Sequence, residues 1–284
     1  MTDKTPRESK RLRKHYGFSR VPFTKHMWAA QMFDSQGQRE LLHGLRMWTE
    51  VRGFTLVAGP AGVGKSITLR RFVQDLDEAS FRVIDFSYLP TTVTGFLRSL
   101  SRKLDLPMRQ HSADLFDQVQ RYLVSFEQDH GAHPVIVIDD AEGLPLQVID
   151  LLRRLASYDL DSQDLFSIVL AGTDDILLVL GHPTLESLRS RLFYVQALRP
   201  FGLEDTRNYV RFHLERADLD PKLFSDPAVK RLFQASKGRP RSINQLATQA
   251  LIQAAVQGRD KLDGDFMAAV IAAHPLYQST GGKR

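Results

Sequence analysis

Apolar positions recur along the chain with two periods, one helical and one matching strands. "FDSQGQRELLHGLRMWTEVR" (33–52) places Leu41, Leu42, Leu45 and Trp48 on one helical face, and "GFTLVAG" (53–59) is a short continuous apolar run of strand length. "KSITLRRFVQDL" (65–76) restores helical spacing and "FRVIDFS" (81–87) is a second strand. "VTGFLRSLSRKL" (93–104) and "ADLFDQVQRYLVSFEQ" (113–128) predict amphipathic helices, "PVIVIDD" (134–140) a third strand and "LQVIDLLRRLASY" (146–158) a helix. "LFSIVLAG" (165–172) is a fourth strand, followed by a helix at "TLESLRSR" (184–191) and a fifth strand at "LFYVQAL" (192–198).

Strands alternating with helices predict a three-layer α/β domain around a mostly parallel five-stranded sheet. The strands are nearly continuous in apolar residues, as expected where both faces are covered. After Pro200 the pattern changes to four helical segments, "LEDTRNYVRFHLERA", "DPAVKRLFQAS", "RSINQLATQALIQAAVQ" and "DGDFMAAVIAAH". The expected organisation is a basic arm (1–15), a nucleotide-binding α/β domain (16–199), a small all-helical lid domain (200–274) and a flexible tail (275–284).

Composition narrows the chemistry. The 284 residues contain no cysteine, which excludes disulfides, thiol catalysis and Cys-ligated zinc. No apolar run approaches the roughly 18 residues that cross a bilayer, and the N-terminus lacks the apolar stretch of a secretory signal. The expected location is cytoplasmic, with no membrane partner. The net charge of +5 is uneven: residues 1–25 hold eight Lys or Arg (Lys4, Arg7, Lys10, Arg11, Arg13, Lys14, Arg20, Lys25) against Asp3 and Glu8, so they carry +6 and the rest −1. A short basic arm suits a phosphate backbone; a solvated tail is the alternative.

The interruption in the apolar pattern is "AGPAGVGKSITLRR" (58–71). Gly59-Pro60-Ala61-Gly62-Val63-Gly64-Lys65-Ser66 fits G-x-x-x-x-G-K-[ST], set between a strand and a helix as that motif requires. Backbone N–H groups wrap a triphosphate, and side chains there would hold it away. The helix that follows, through Ile67, points its N-terminus at the phosphates. Lys65 would reach the β- and γ-phosphates and Ser66 would offer its hydroxyl to Mg²⁺. The strand "PVIVIDDAE" supplies the acidic partner: Asp139 for the Mg²⁺ shell, and Asp140 to position the attacking water. Asp140 is one methylene shorter than the glutamate usual in such ATPases, and Glu142, two residues on, ranks second. Thr173, just past the fourth strand, is placed to touch the γ-phosphate or the water; a surface turn is the alternative. Arg191, ahead of Arg189, is the candidate finger across a subunit interface, with structural ion pairing as the alternative. Arg241, at the start of a helix after Gly238 and Pro240, would bring a cation over the phosphates.

These pieces together resemble AAA+ ATPases of the ExeA-like group over about residues 15–273. "YGFSRVPF" (16–23) is similar to that group's Tyr-Gly-Leu-…-Pro-Phe motif, which implies Tyr16, Phe18 and Phe23 near the adenine. "VIVIDDAE" resembles its acidic motif apart from Asp140, and "GRPRSINQLATQAL" its Gly-x-Pro-Arg-x-Ile-Asn lid motif. The resemblance implies ATP and Mg²⁺, slow hydrolysis stimulated by a partner, and ATP-dependent homo-oligomers, as ring or helical filament. Membrane-bound members energise assembly of secretion machinery and continue into a membrane span. Compact members resemble the ATPase partners of DDE-type transposases, similar in role to TnsC, IstB and MuB. The expected function on that basis is a transposition regulator that assembles on double-stranded DNA and recruits a DDE-type transposase. Arg98, Arg102 and Lys103 are further candidates to face the DNA. A secretion or envelope-assembly ATPase is the alternative.

Overall fold

The apolar runs become strands of one parallel sheet in the computed structural model, which describes residues 7–24, 32–86, 88–157 and 165–277. The strands are β1 (Phe54–Ala58), β2 (Phe81–Phe86), β3 (His133–Ile138), β4 (Ser167–Gly172) and β5 (Leu192–Ala197), in the order β2-β3-β4-β1-β5. The three inner strands, β3, β4 and β1, are buried at every position, whereas β2 and β5 alternate between covered and exposed. Their sequences anticipate this, because Arg82, Asp85 and Gln196 fall only on the edge strands, where polar side chains reach water.

The described helices are α1 (Arg7–Tyr16), α2 (Gln36–Val51), α3 (Lys65–Asp75), α4 (Val93–Lys103), α5 (Ser112–His130), α6 (Leu146–Ala156), α7 (Asp175–Leu180), α8 (Glu186–Arg189), α9 (Leu203–Glu215), α10 (Asp226–Ser236), α11 (Pro240–Gln257) and α12 (Gly264–Ala273). Successive strand residues point to opposite faces. Phe54, Leu56, Ile136, Ile138, Ile168 and Leu170 therefore share one core with Phe96 and Leu100 of α4, Val119 and Leu123 of α5, and Ile149 and Leu152 of α6. The intervening Thr55, Val57, Val135, Val137 and Val169 belong to the other face; α2 and α3 pack together, α2 against β5 and α3 against β4.

Contacts divide the chain into two units. One is Gln36–Pro60 with Lys65–Leu198, the sheet and its helices. The other is helical and takes the described residues of Met1–Ser35, Ala61–Gly64 and Arg199–Arg284. Its core contains Phe18, Phe23, Phe201, Tyr209, Leu214, Leu232, Leu246 and Met267.

The ends differ from the sequence expectation. Residues 1–6 and Lys25 lie outside the described residues, but the expected arm is helical from Arg7. Its helix α1 packs on α11 through Leu12 and Tyr16, whose hydroxyl donates to Leu251 O at 3.3 Å. At the other end, residues 278–284 lie outside the described residues, and Tyr277 is fastened rather than frayed, its hydroxyl donating to Gln245 Oε1 at 2.8 Å.

Candidate active site

Sheet order locates the site. β1 lies between β4 and β5, yet the chain leaves it for β2 at the far edge. In open α/β sheets such a reversal opens a crevice at the carboxyl ends of the strands. Ala58 pairs with Gly172 and with Ala197, and Ile138 pairs with Leu170. The residues that leave β1, β3 and β4, namely Gly59, Asp139 and Thr173, therefore emerge along one edge.

The glycine loop requires its glycines. Gly59 and Gly62 hold φ of +151° and +81°, where an L side chain is strained. A Cβ on Gly59 would lie 2.3 Å from Leu198 O, and one on Gly62 would lie 2.8 Å from Arg241 Cβ. Val63 is buried, Pro60 half-buried, Ala61 exposed and Gly64 half-buried with φ +112°. Lys65 opens α3; its ammonium donates to Gly59 O at 2.7 Å and to Pro60 O at 3.3 Å. Burial pushes its pKa below the ordinary lysine value, against the opposing fields of Asp139, Glu142, Asp140 and Asp174, in that order. Ser66 is exposed on the first turn of α3 and Ile67 is half-buried.

The acidic segment has a sharp local geometry. Asp139 follows β3 directly, and its Oδ1 accepts the Asp140 N–H at 3.0 Å. Asp140 sits at φ +54°, exposed, and caps a short 3₁₀ turn at Ala141–Gly143. Within that turn Glu142 Oε2 is shielded from solvent and accepts no hydrogen bond. A Cβ on Gly172 would lie 2.5 Å from that oxygen, so a side chain there would make the Glu142 carboxylate shift away from the end of β4. Thr173 Oγ1 donates to Asp175 Oδ2 at 3.4 Å.

The candidate arginines are engaged in their own surroundings. Arg191 donates to Ser157 Oγ at 2.9 Å, and Arg189 to Leu180 O at 2.6 Å and His182 O at 3.3 Å. Arg98 donates to Gln110 O at 3.5 Å, Arg102 is exposed, and Lys103 lies 5.5 Å from the centre of the Phe86 ring. In the helical unit Arg241 N–H donates to Gly62 O at 3.1 Å, and its side chain covers the Gly62 α-carbon. Phe18 and Phe23 are buried in the core of that unit, and burial pushes the Tyr16 phenol up to about 12.

The structure adds one group that the sequence pattern did not single out. Asp174, next to Thr173, contributes to the field on Lys65. Its signal in the sequence is the second polar residue after a strand end.

The donor set suits a magnesium–nucleoside triphosphate. The glycines of the loop exclude side chains, the ammonium stands among carboxylates, and a hydroxyl opens a helix. Among the described residues no group of three or more His, Cys, Asp or Glu is placed to hold a metal alone. Mg²⁺ needs few protein ligands when phosphate oxygens and water complete its shell.

Comparison with known proteins agrees. Residues 49–180 match the AAA domain family. General secretion pathway protein A of Aeromonas hydrophila is 28% identical over 261 residues, covering 89% of this chain and 47% of that protein. The chain thus spans about half the length of this curated relative. Similar solved structures include Cdc6p from Pyrobaculum aerophilum (TM-score 0.66, 19% identity, 84% of this chain and 67% of that one). Another is the Orc2 protein of Aeropyrum pernix (TM-score 0.64, 12% identity, 88% and 71%). A third is the RuvB Holliday junction branch migration motor of Thermotoga maritima (TM-score 0.55, 18% identity, 84% and 68%). At these identities the structures show a shared fold.

Proposed function

We propose that this chain, an ATPase of the AAA fold that uses ATP with Mg²⁺, drives assembly of a secretion or cell-envelope machine. The observation that supports this reading is the identity to General secretion pathway protein A, which runs through 89% of the chain. The reading displaces transposition as the favoured function. Among the described residues no helix is long and apolar enough to cross a membrane.

In this reading the 59–64 backbone and Lys65 hold the phosphates, and Ser66 with Asp139 hold Mg²⁺, whose charge neutralises the phosphate oxygens. Thr173 stands at the γ-phosphate edge, Arg241 adds a cation beside Gly62 of the glycine loop, and Arg191 acts across to a second copy. Phe18 and Phe23, buried in the core of the helical unit, hold the N-terminal segment in place.

A second reading, ATP-dependent assembly on duplex DNA with a transposase, is favoured by one observation: the positive charge on and around α1. Sedimentation of the full chain with envelope vesicles, and fluorescence anisotropy on duplex DNA, each with and without ATP, tests both. The expected result is ATP-dependent association with vesicles. ATP-dependent binding to DNA alone overturns the secretion reading.

A further inference from the structure

The acidic turn offers two carboxylates for the attacking water, and they are not placed alike. Asp140 follows the metal-side Asp139 immediately, but its backbone is in the left-handed region at φ +54° and its side chain is exposed. Glu142 is drawn inward by the 3₁₀ turn, anchored beside fully buried Ala141. Its Oε2 is closed off from solvent without a hydrogen bond and lies against Gly172, one residue before Thr173. A buried carboxylate oxygen without a partner is costly, and costs of this kind persist at sites that use them. The extra methylene of Glu and the two-residue offset compensate one another, so a carboxylate still reaches the strand ends.

We propose that Glu142, rather than Asp140, is the residue that takes the proton of the attacking water, with Gly172 as the clearance that admits its carboxylate. The proposal rests on the ATPase activity of the AAA fold and is independent of the partner. The water oxygen bonds to the γ-phosphorus as the β–γ bridging P–O bond breaks. ADP leaves with that electron pair, and the water's proton passes to a Glu142 oxygen and on to solvent. Asp140 serves the turn: its backbone geometry swings Glu142 inward.

The test compares Glu142→Gln with Asp140→Asn in the full chain, by steady-state turnover and by equilibrium binding of fluorescent ATP and ADP analogues. Glu142→Gln is expected to lower kcat about 100-fold or more, with retained nucleotide binding. It should also raise the preference for ATP over ADP several-fold, because an anion facing the γ-phosphate position is removed. The loss of kcat in Asp140→Asn is expected to be at least about tenfold smaller, with a smaller change in the ATP-to-ADP ratio. Gly172→Ala should reproduce the kcat loss of Glu142→Gln by displacing the carboxylate. The reverse ranking in both kcat and the ATP-to-ADP ratio overturns the proposal, as does equal loss in both variants. Were the native chain to bind ATP without turnover, the ATPase reading would fail first, and the binding ratio would still decide which carboxylate faces the γ-phosphate.

Discussion

Two side chains show how burial sets behaviour at the scale of single residues. Lys65 is 6% exposed and is satisfied by loop carbonyls at 2.7 and 3.3 Å. A charged hydrogen bond contributes about 1.5–3 kcal/mol, so Lys65→Ala should weaken ATP binding about 10- to 100-fold, measured by titration with a fluorescent analogue while circular dichroism confirms the fold. His213 is the second case. The Phe23 N–H donates to its Nδ1 at 3.3 Å and the two rings lie 4.9 Å apart, so the ring proton belongs on Nε2, which is buried without a partner. Burial first, and the Arg216 charge second, lower its pKa from 6.5 to about 4. Between those values the unfolded chain binds a proton that the folded chain refuses, so stability falls as pH drops from 6.5 towards 4. The loss is about 3 kcal/mol at most. Urea denaturation across that range should show it, and His213→Gln should flatten that dependence. An equally steep dependence in the variant would exclude His213 as its source.

At the scale of elements, the end of the sheet away from the glycine loop is tied by a polar chain. Arg52, at φ +67° just before β1, makes two hydrogen bonds to Glu127 of α5, at 2.9 and 2.7 Å. Glu127 Oε2 also meets His133 Nδ1 at 3.2 Å, and the buried His133 reaches Ser167 Oγ of β4 through Nε2 at 3.0 Å. Arg52, then His133, hold the Glu127 carboxyl below its usual range. The Arg52–Glu127 pair is well exposed, so Arg52→Ala should cost under about 1 kcal/mol. Glu127→Ala takes a partner from a buried imidazole and should cost about 1–3 kcal/mol. Denaturation midpoints that rank the other way would place the strength of the chain in the ion pair. None of this network was legible in the sequence, because its members lie far apart along the chain and each has an ordinary local pattern. The five strands were legible, since runs such as "PVIVID" and "SIVLAG" have the length and continuity of buried parallel strands. The glycine loop was legible because backbone contact restricts composition over several adjacent residues. α1 was missed because "RESKRLRKHY" is dominated by charge, and its docking depends on Leu12 and Tyr16 meeting α11. The inward turn of Glu142 was missed because it rests on the left-handed Asp140 and on the absence of a side chain at Gly172.

For the whole molecule, the nucleotide dependence of polyanion binding decides between the two functional readings. The first 25 residues carry +6 and the remaining 259 carry −1. A basic segment of this kind attracts any polyanion, and counterion release makes that attraction fall steeply with salt. Attraction of this kind does not depend on nucleotide, whereas assembly gated by an ATPase site does. The secretion reading therefore predicts weak duplex binding at low salt, equal with ATP and with ADP. Replacing Arg11, Arg13 and Lys14 by Gln should reduce the slope of log affinity against log salt by up to about 2.7, at about 0.9 for each phosphate no longer neutralised. ATP turnover should keep its native rate in that variant, since α1 belongs to the helical core and contributes no residue proposed for hydrolysis. The transposition reading predicts instead that ATP strengthens duplex binding and that DNA raises turnover, with both gains abolished in the triple variant. Anisotropy titrations at several salt concentrations, run in parallel with turnover assays, separate the two outcomes. A gain in affinity with ATP that survives at high salt would move duplex DNA from an incidental polyanion to the partner of this ATPase.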